Sequence, residues 1–279
     1  MTIPDSAPGM PSAPGTQEAA AGTDSMVPSP ARMYDYLIGG KDNLAVDRAA
    51  AHELMSAFPG VRRVARANRG FLVRALWFLA GRGIRQYIDL GTGFPTSPNV
   101  HEVARQVMQD ARVVYVDNDA VVTAHSRALR ATTLGVVAVH GDIRRPDEIL
   151  GDPDLLSVID FAEPVAVLLV AVLHFITPHE DPARIVAAFR DRVAPGSYLV
   201  ISHGVSDDTS TRVVEKITSA YNGASAPVTP RTAAEVEAFF EGCELVEPGV
   251  VDVTRWRPER RTRSQGLQVA AGVGRKLGA

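Results

Sequence analysis

The sequence predicts an α/β fold: a seven-stranded, mostly parallel sheet with an antiparallel last strand, preceded by an N-terminal helical extension. Three observations carry this. From residue 85 onward, short apolar runs alternate with stretches of helical periodicity, the pattern of a parallel sheet with helical crossovers. The run Val165 to Val170 is wholly apolar, as a strand covered on both faces requires. The first three predicted strands lead in turn to Asp89, Asp117 and Asp142, at the strand ends where open α/β sheets bind ligands.

The elements follow in order. Residues 1–30 are rich in Pro, Ala, Gly, Ser and Thr without periodicity and read as a disordered tail. Residues 31–84 form the helical extension, with helices at Asp42–Phe58, stopped near Pro59-Gly60, and at Val61–Leu79, stopped by Gly81. The main domain, 85–279, opens with strand Gln86–Leu90, a turn with glycines at 91 and 93, and a helix from about Ser97 to Asp110. Strand Arg112–Val116, helix Asp119–Thr133 and strand Val136–His140 come next, then irregular chain from Pro146 to Glu163. The fourth strand leads to a helix capped by Asp181 with Pro182 at its first position. Ala194-Pro195-Gly196 turns the chain into strand Tyr198–Ser202, and a helix spans Thr209–Tyr221. Thr232 and Glu235 make a capping box for a last helix ended by Gly242. Leu245–Arg255 and Leu267–Val273 are expected as a closing hairpin.

Composition narrows the class. With 279 residues, 46% of them hydrophobic, the chain can build one sizeable α/β core. A net charge of −3 gives no global attraction for nucleic acid or membrane. No apolar run approaches the roughly 20 residues of a membrane helix, and the N-terminus lacks the basic-then-apolar order of a secretory signal. The single Cys243 excludes an intrachain disulfide and fits a reducing compartment, so the expected location is the cytoplasm.

The turn after the first strand indicates the ligand. Glycine lets the backbone approach a cofactor, and a following helix offers free N–H groups. Asp89, two residues before Gly91, would repel a dinucleotide pyrophosphate but suits the cationic amino acid end of S-adenosylmethionine. A dinucleotide fingerprint also needs a third glycine at position 96, which is Thr96. Asp117 lies where either cofactor class places an acid on the ribose hydroxyls. Asp142 suits the exocyclic amine of adenine, with Ile143 packing near the ring.

On these residues the chain resembles the class I, Rossmann-like S-adenosylmethionine-dependent methyltransferases over roughly residues 85–275. It resembles more closely a bacterial S-adenosyl methyltransferase family of undefined substrate. The specific matches are Ala31 to Asn43, with its Tyr-Asp-Tyr-Leu-Ile-Gly-Gly-Lys-Asp-Asn string, then Asp89 to Thr96, Asn99 to Ala104 and Val113 to Asp119. Pro164 to Leu169 with Leu173-His174-Phe175, and Ala194 to Leu199 with Ser202-His203, complete them. Pro95 departs from the general loop by replacing its third glycine, and Ala120 stands where the closer family often has proline. The resemblance implies the fold, the cofactor and a methyltransferase activity, and names no acceptor. The expected cofactor-binding residues are Tyr34, Asp89, Gly91, Gly93, Asp117, Asn118, Asp142 and Ile143.

Methyl transfer asks for positioning, and for a base only where the acceptor keeps its proton until reaction. His174 and His203, after the fourth and fifth strands, are the candidate catalytic residues; each could equally be a structural histidine. His101 reads as support for the glycine loop and His140 as buried, while His52, His125 and His179 read as surface. Tyr34 or Tyr36 could cover a sulfonium, with Gly39-Gly40 as the bend of a lid. The bland reading of that string is a structured turn on the sheet edge. Arg62, Arg66 and Arg69 share one helical face, and Arg255, Arg257, Arg260, Arg261 and Arg263 crowd the last loop. These are solvated surface or the mark of an anionic small-molecule acceptor. Nucleic acid is disfavoured because only Trp256 interleaves the second cluster. No metal site is expected, since the adjacent Asp207 and Asp208 need not converge on one ion. Two rivals remain: a non-catalytic S-adenosylmethionine-binding regulator and an NAD(P)-dependent oxidoreductase.

Overall fold

The computed structural model describes residues 26–130, 133–207, 209–258 and 269–278. Three helices come first: α1 (Pro30–Ile38), α2 (Ala45–Ala57) and α3 (Val61–Gly81). The sheet then alternates β1 (Gln86–Leu90), α4 (Val100–Ala104), β2 (Arg112–Asp117), α5 (Ala120–Arg130) and β3 (Val136–His140). It continues with α6 (Pro146–Leu150), α7 (Pro153–Val158), β4 (Val165–Val170), α8 (Pro182–Arg192) and β5 (Tyr198–Gly204). The last elements are α9 (Thr211–Tyr221), α10 (Ala233–Ala238), β6 (Cys243–Leu245), β7 (Val251–Asp252) and β8 (Val269–Lys276). Strand order is β3-β2-β1-β4-β5-β8-β6, with β7 also on β8. The first five strands are parallel, and β8 runs antiparallel to β5, β6 and β7.

The strand count is eight rather than seven because the predicted sixth strand is interrupted. Glu247-Pro248-Gly249 breaks it: proline has no N–H for a ladder, and Gly249 turns at φ 81° with its N–H on the Val246 carbonyl. The segment expected to be irregular holds α6 and α7, each opened by a proline, with Asp152 accepting N–H bonds from Asp154 and Leu155. Helix α4 is shorter than expected. Its N-terminus has the Asn99–Glu102 capping box, but Gln106 and Val107 bond three residues back and tighten the helix to an end. Helix α1 was not anticipated.

Strand periodicity divides the core. Ile88, Leu90, Val165, Val167 and Leu169 pack with α6, α7, α8 and α10 on one face. Tyr87, Ala166 and Leu168 face the other side, with Phe71, Leu72, Leu76 and Leu79 of α3. Trp256, expected amid a basic surface, is fully buried on that second face, edge-on to Phe71 and Phe78 at centroid distances of 5.4 and 5.9 Å. Of its neighbouring arginines, Arg260, Arg261 and Arg263 lie outside the described residues. A third cluster joins Met33 and Leu37 of α1, Ala51 and Leu54 of α2, Ala65 of α3 and Ala220 of α9. Helices α1 and α2 are thus packed against α9, while α3 lies directly on the sheet. Among the described residues, no helix is long and apolar enough to cross a membrane.

Candidate functional site

Register brings the parallel strands to a common edge. Leu90 pairs with Val116, Val116 with Val139, and Asp117 with His140, so the loops after β1, β2 and β3 emerge together. The glycine turn is pinned there by N–H bonds from Gly91 and Thr92 to the Val116 carbonyl at 2.8 and 3.1 Å. Gly91 and Gly93 adopt φ 67° and 63°, a region costly for other residues. A Cβ on Gly91 would also run into the Val172 side chain. Val172 owes its position to Ala171, whose φ of 59° turns the chain sharply after β4.

Above this edge lies a cavity of about 700 Å³. Tyr34, Asp89, Gly91, Gly93, Asp117, Asn118, Asp142, Ile143 and His174 all line it; His203 does not. Asp89 Oδ2 accepts the Thr92 hydroxyl at 2.9 Å. Asp117 is the most constrained acid. Its carboxylate accepts the N–H groups of Gly93 at 2.8 Å and Asp119 at 2.9 Å, yet its pKa is pushed up to about 6. Burial is the main cause, aided by the charges of Asp119 and Asp89. Asp142 behaves oppositely: burial works against its ionisation, but hydrogen bonds from Arg144 outweigh that and hold its carboxyl below the usual range. Arg144 grips both carboxylate oxygens and reaches Glu180 at 3.0 Å. This partner, two residues from Asp142, was missed in the sequence.

The N-terminal string is a helix end and a hydrogen-bonded turn. Gly39 ends α1 at φ 99°, and Gly40 lies so close to the Asp35 carboxylate that a side chain has no room. Asp35 in turn accepts from the Asp42 N–H and the Asn43 amide at 2.9 and 2.8 Å. Gly39-Gly40 therefore locks a turn instead of bending a segment over the cavity, and Tyr34 reaches the cavity from α1 itself. A directed chain fixes it: Ala171 N–H to Ser202 Oγ, Ser202 O–H to Asn68 Oδ1, Asn68 amide to Tyr34 Oη, and Tyr34 O–H to the Ala65 carbonyl. Tyr36 points away, bonding His52 at 2.7 Å and stacking under Arg62. Ser29 and Arg32 tie the start of α1 to Asp119 and Asp47, with an Arg32–Asp47 contact of 2.7 Å in a buried setting.

The two candidate histidines separate. His203 is fully buried. Its Nε2 accepts from Arg231 at 2.8 Å, so the ring proton sits on Nδ1 and is given to the Gly204 carbonyl at 2.7 Å. Both nitrogens are engaged, and burial with the nearby Arg231 charge pushes its pKa down to about 4. This corrects the catalytic expectation for His203, which braces Arg231 while Arg231 holds the Leu173 and Ile176 carbonyls. His174 Nδ1 accepts a long 3.4 Å bond from the Gly204 N–H, which leaves the proton on Nε2. Burial first, then His203 and Arg231, hold it well below the usual histidine range, so the ring is neutral and offers an N–H.

The other histidines are mixed. His101 Nδ1 meets the Tyr115 hydroxyl at 2.8 Å, beneath the glycine loop. His140 is exposed rather than buried, because β3 ends at the cavity rim. Sequence reading gave no cavity role to Asn68, Phe175 or Tyr221 and read Arg69 only as part of a basic helical face; all four line the cavity, from α3, the segment after β4, and α9. No group of three or more His, Cys, Asp or Glu able to hold a metal occurs among the described residues. Asp207 caps α10 through the Ala233 N–H at 2.8 Å; Asp208 lies outside them.

Comparison with known proteins gives the family. The family described as S-adenosyl methyltransferase matches residues 16–277. A protein from Thermobifida fusca YX, provisionally designated a methyltransferase, is 42% identical, with a TM-score of 0.85 over 91% of this chain and 97% of its own. A DUF574 family protein from Streptomyces avermitilis MA-4680 is 39% identical, with a TM-score of 0.86 over 91% of this chain and 99% of its own. Human N-acetylserotonin methyltransferase, solved with S-adenosylmethionine, shares the fold at 12% identity and a TM-score of 0.50, over 84% of this chain and 58% of its own. No curated protein matches the sequence. The chain belongs to the S-adenosyl methyltransferase family and is an S-adenosylmethionine-dependent methyltransferase of Rossmann-like fold.

Proposed function

We propose that this methyltransferase acts on a small molecule held inside the cavity, in the cytoplasm. The observation that carries this reading is that one cavity is lined both by the glycine turn with its acids and by α1, α3 and α9. In this reading residues 31–84 are the cap of the site and 85–279 the catalytic domain. Gly91, Gly93 and Asp89 hold the methionine end of the cofactor, Asp117 and Asn118 the ribose, and Asp142 with Ile143 the adenine. Support for the fit comes from the clash that any side chain at Gly91 would make with Val172. It comes also from Asp117, whose ionised form is short of compensation until hydroxyl donors reach it. The bound cofactor supplies an electrophilic methyl on a sulfonium, and Tyr34 offers its ring face to that charge.

The acceptor occupies the side of the cavity walled by Phe175 and Tyr221, whose ring centroids are 5.6 Å apart. Among the described residues, the Tyr221 hydroxyl has no hydrogen-bond partner, and burial raises its pKa. His174 Nε2–H and Tyr221 Oη then orient the acceptor by hydrogen bonds. With no carboxylate or protonatable base assigned to that side among the described residues, a reactive proton leaves to solvent or stays on the acceptor until after transfer. An anionic acceptor, suggested by the basic face of α3, would draw on Arg69, which lines the cavity from that helix.

The test is release of S-adenosylhomocysteine from S-adenosylmethionine by purified protein given fractionated cell extract. Activity should follow the small-molecule fraction and survive its treatment with nuclease and protease. Activity confined to macromolecules would overturn the acceptor class, and silence in every fraction would favour a regulator. With an acceptor in hand, Tyr221→Phe and His174→Ala should each lower kcat/KM about ten- to hundredfold. Cofactor affinity should stay within about threefold in both.

A further inference from the structure

Among the described residues, three arginines line the cavity: Arg32, Arg69 and Arg144. Arg32 is paired with Asp47 and reaches Asp119. Arg144 is paired with Asp142 and Glu180. Arg69 has no carboxylate within 4.0 Å among the described residues. Its Nη2 donates to the carbonyls of Thr96 and Pro98, which ties the guanidinium to the far end of the glycine loop. Its Nε is buried and makes no hydrogen bond. The guanidinium charge thus has no carboxylate partner among the described residues, a partner that an anionic group in the cavity would supply.

The position of this cation matters. Arg144 stands with Asp142 and Ile143 after β3, at the end proposed above for the adenine. Arg69 stands at the loop that carries the glycine turn, held by Thr96 and Pro98 and close enough for its charge to act on the Tyr34 hydroxyl. The ligand end assigned to that turn is an amino acid, which carries an ammonium and a carboxylate together. Asp89 answers the first charge. We infer that Arg69 answers the second: its guanidinium binds the methionine carboxylate of the cofactor through Nη1, the terminal nitrogen that Thr96 and Pro98 leave free. Planar guanidinium and planar carboxylate are matched donor and acceptor. The inference rests on the cofactor placement proposed above, and it gives the basic face of α3 a cofactor role at one position instead of an acceptor role.

Calorimetric titration with S-adenosylmethionine and its decarboxylated analogue, on wild type, Arg69→Met and Arg69→Lys, tests this. Decarboxylated S-adenosylmethionine keeps the sulfonium and the amine and lacks only the carboxylate. Wild type should bind it about ten- to hundredfold more weakly than S-adenosylmethionine, the range for a hydrogen bond to a charged group. Arg69→Met should lose that preference, binding both ligands with affinities within about threefold, and Arg69→Lys should recover part of it. If Arg69 only braces the glycine loop, Arg69→Met weakens both ligands equally and keeps the preference, which overturns the inference. Unchanged binding of both ligands overturns it too and returns Arg69 to the acceptor. Should Arg69→Met fail to fold, the wild-type preference and Arg69→Lys still decide. Failure of wild type to bind either ligand would instead count against the cofactor placement.

Discussion

Asp117 makes a quantitative prediction about pH. In the free protein its pKa is raised to about 6, by burial and then by the nearby charges of Asp119 and Asp89. Keeping it ionised in the fold at neutral pH costs about 3 kcal/mol relative to the unfolded chain. The sign for stability follows: a carboxyl with a raised folded pKa favours the fold below its unfolded value, and that contribution is lost as pH rises through 6. Cofactor binding has the opposite sign. Ribose hydroxyls donate to the ionised form, so binding lowers the pKa and releases a proton near pH 6. The ionised fraction is about 97% at pH 7.5 and about 9% at pH 5, which predicts about a tenfold loss of affinity between them. Titration with S-adenosylhomocysteine across this range, in buffers of different ionisation enthalpy, measures both the affinity and the released proton. Asp117→Asn should bind more weakly at pH 7.5 and lose the slope. A slope of equal size in Asp117→Asn, or no slope in wild type, would refute the reasoning.

Gly91 and Arg231 give independent tests. Gly91→Ala should destabilise the fold by about 2–5 kcal/mol in urea unfolding, from its positive φ and from overlap with Val172. Pairing it with Val172→Ala should reveal a coupling of about 1–3 kcal/mol, the overlap alone; additivity would mean the loop relaxes freely. Arg231→Met should cost about 2–4 kcal/mol by stranding the Leu173 and Ile176 carbonyls and His203 Nε2. An unchanged unfolding midpoint would remove Arg231 from its bracing role.

The parallel half of the fold was legible because its signals are local. Each of β1 to β5 is an apolar run of about strand length ended by turn chemistry, and strand ends in register are a consequence of parallel pairing. What escaped was long-range. His174 and His203 look equivalent in sequence, each just beyond or at a strand end. They differ because His203 is still on β5 and points to the face holding Phe239, where Arg231 meets it. Ser202, one residue earlier, points the other way and meets Asn68 of α3. Arg69 and Tyr221 carry no local mark either, since helix periodicity says which face is apolar and not which partner lies opposite. The string from Tyr34 to Asn43 was visible as special, but its glycines serve the Asp35 carboxylate, a contact no spacing rule reveals. The break in the final hairpin was readable in Pro248-Gly249, had proline been weighed over the apolar run.

The most direct test of the account is a crystal structure of the protein with S-adenosylhomocysteine. The account predicts the adenine against Ile143 and Asp142, both ribose hydroxyls on Asp117, and the amino acid end over Gly91 with its carboxylate toward Arg69. It also predicts open space on the Phe175–Tyr221 side of the sulfur. A ligand bound elsewhere, or one whose amino acid end fills the space beside Tyr221 and leaves no room for an acceptor, would contradict it.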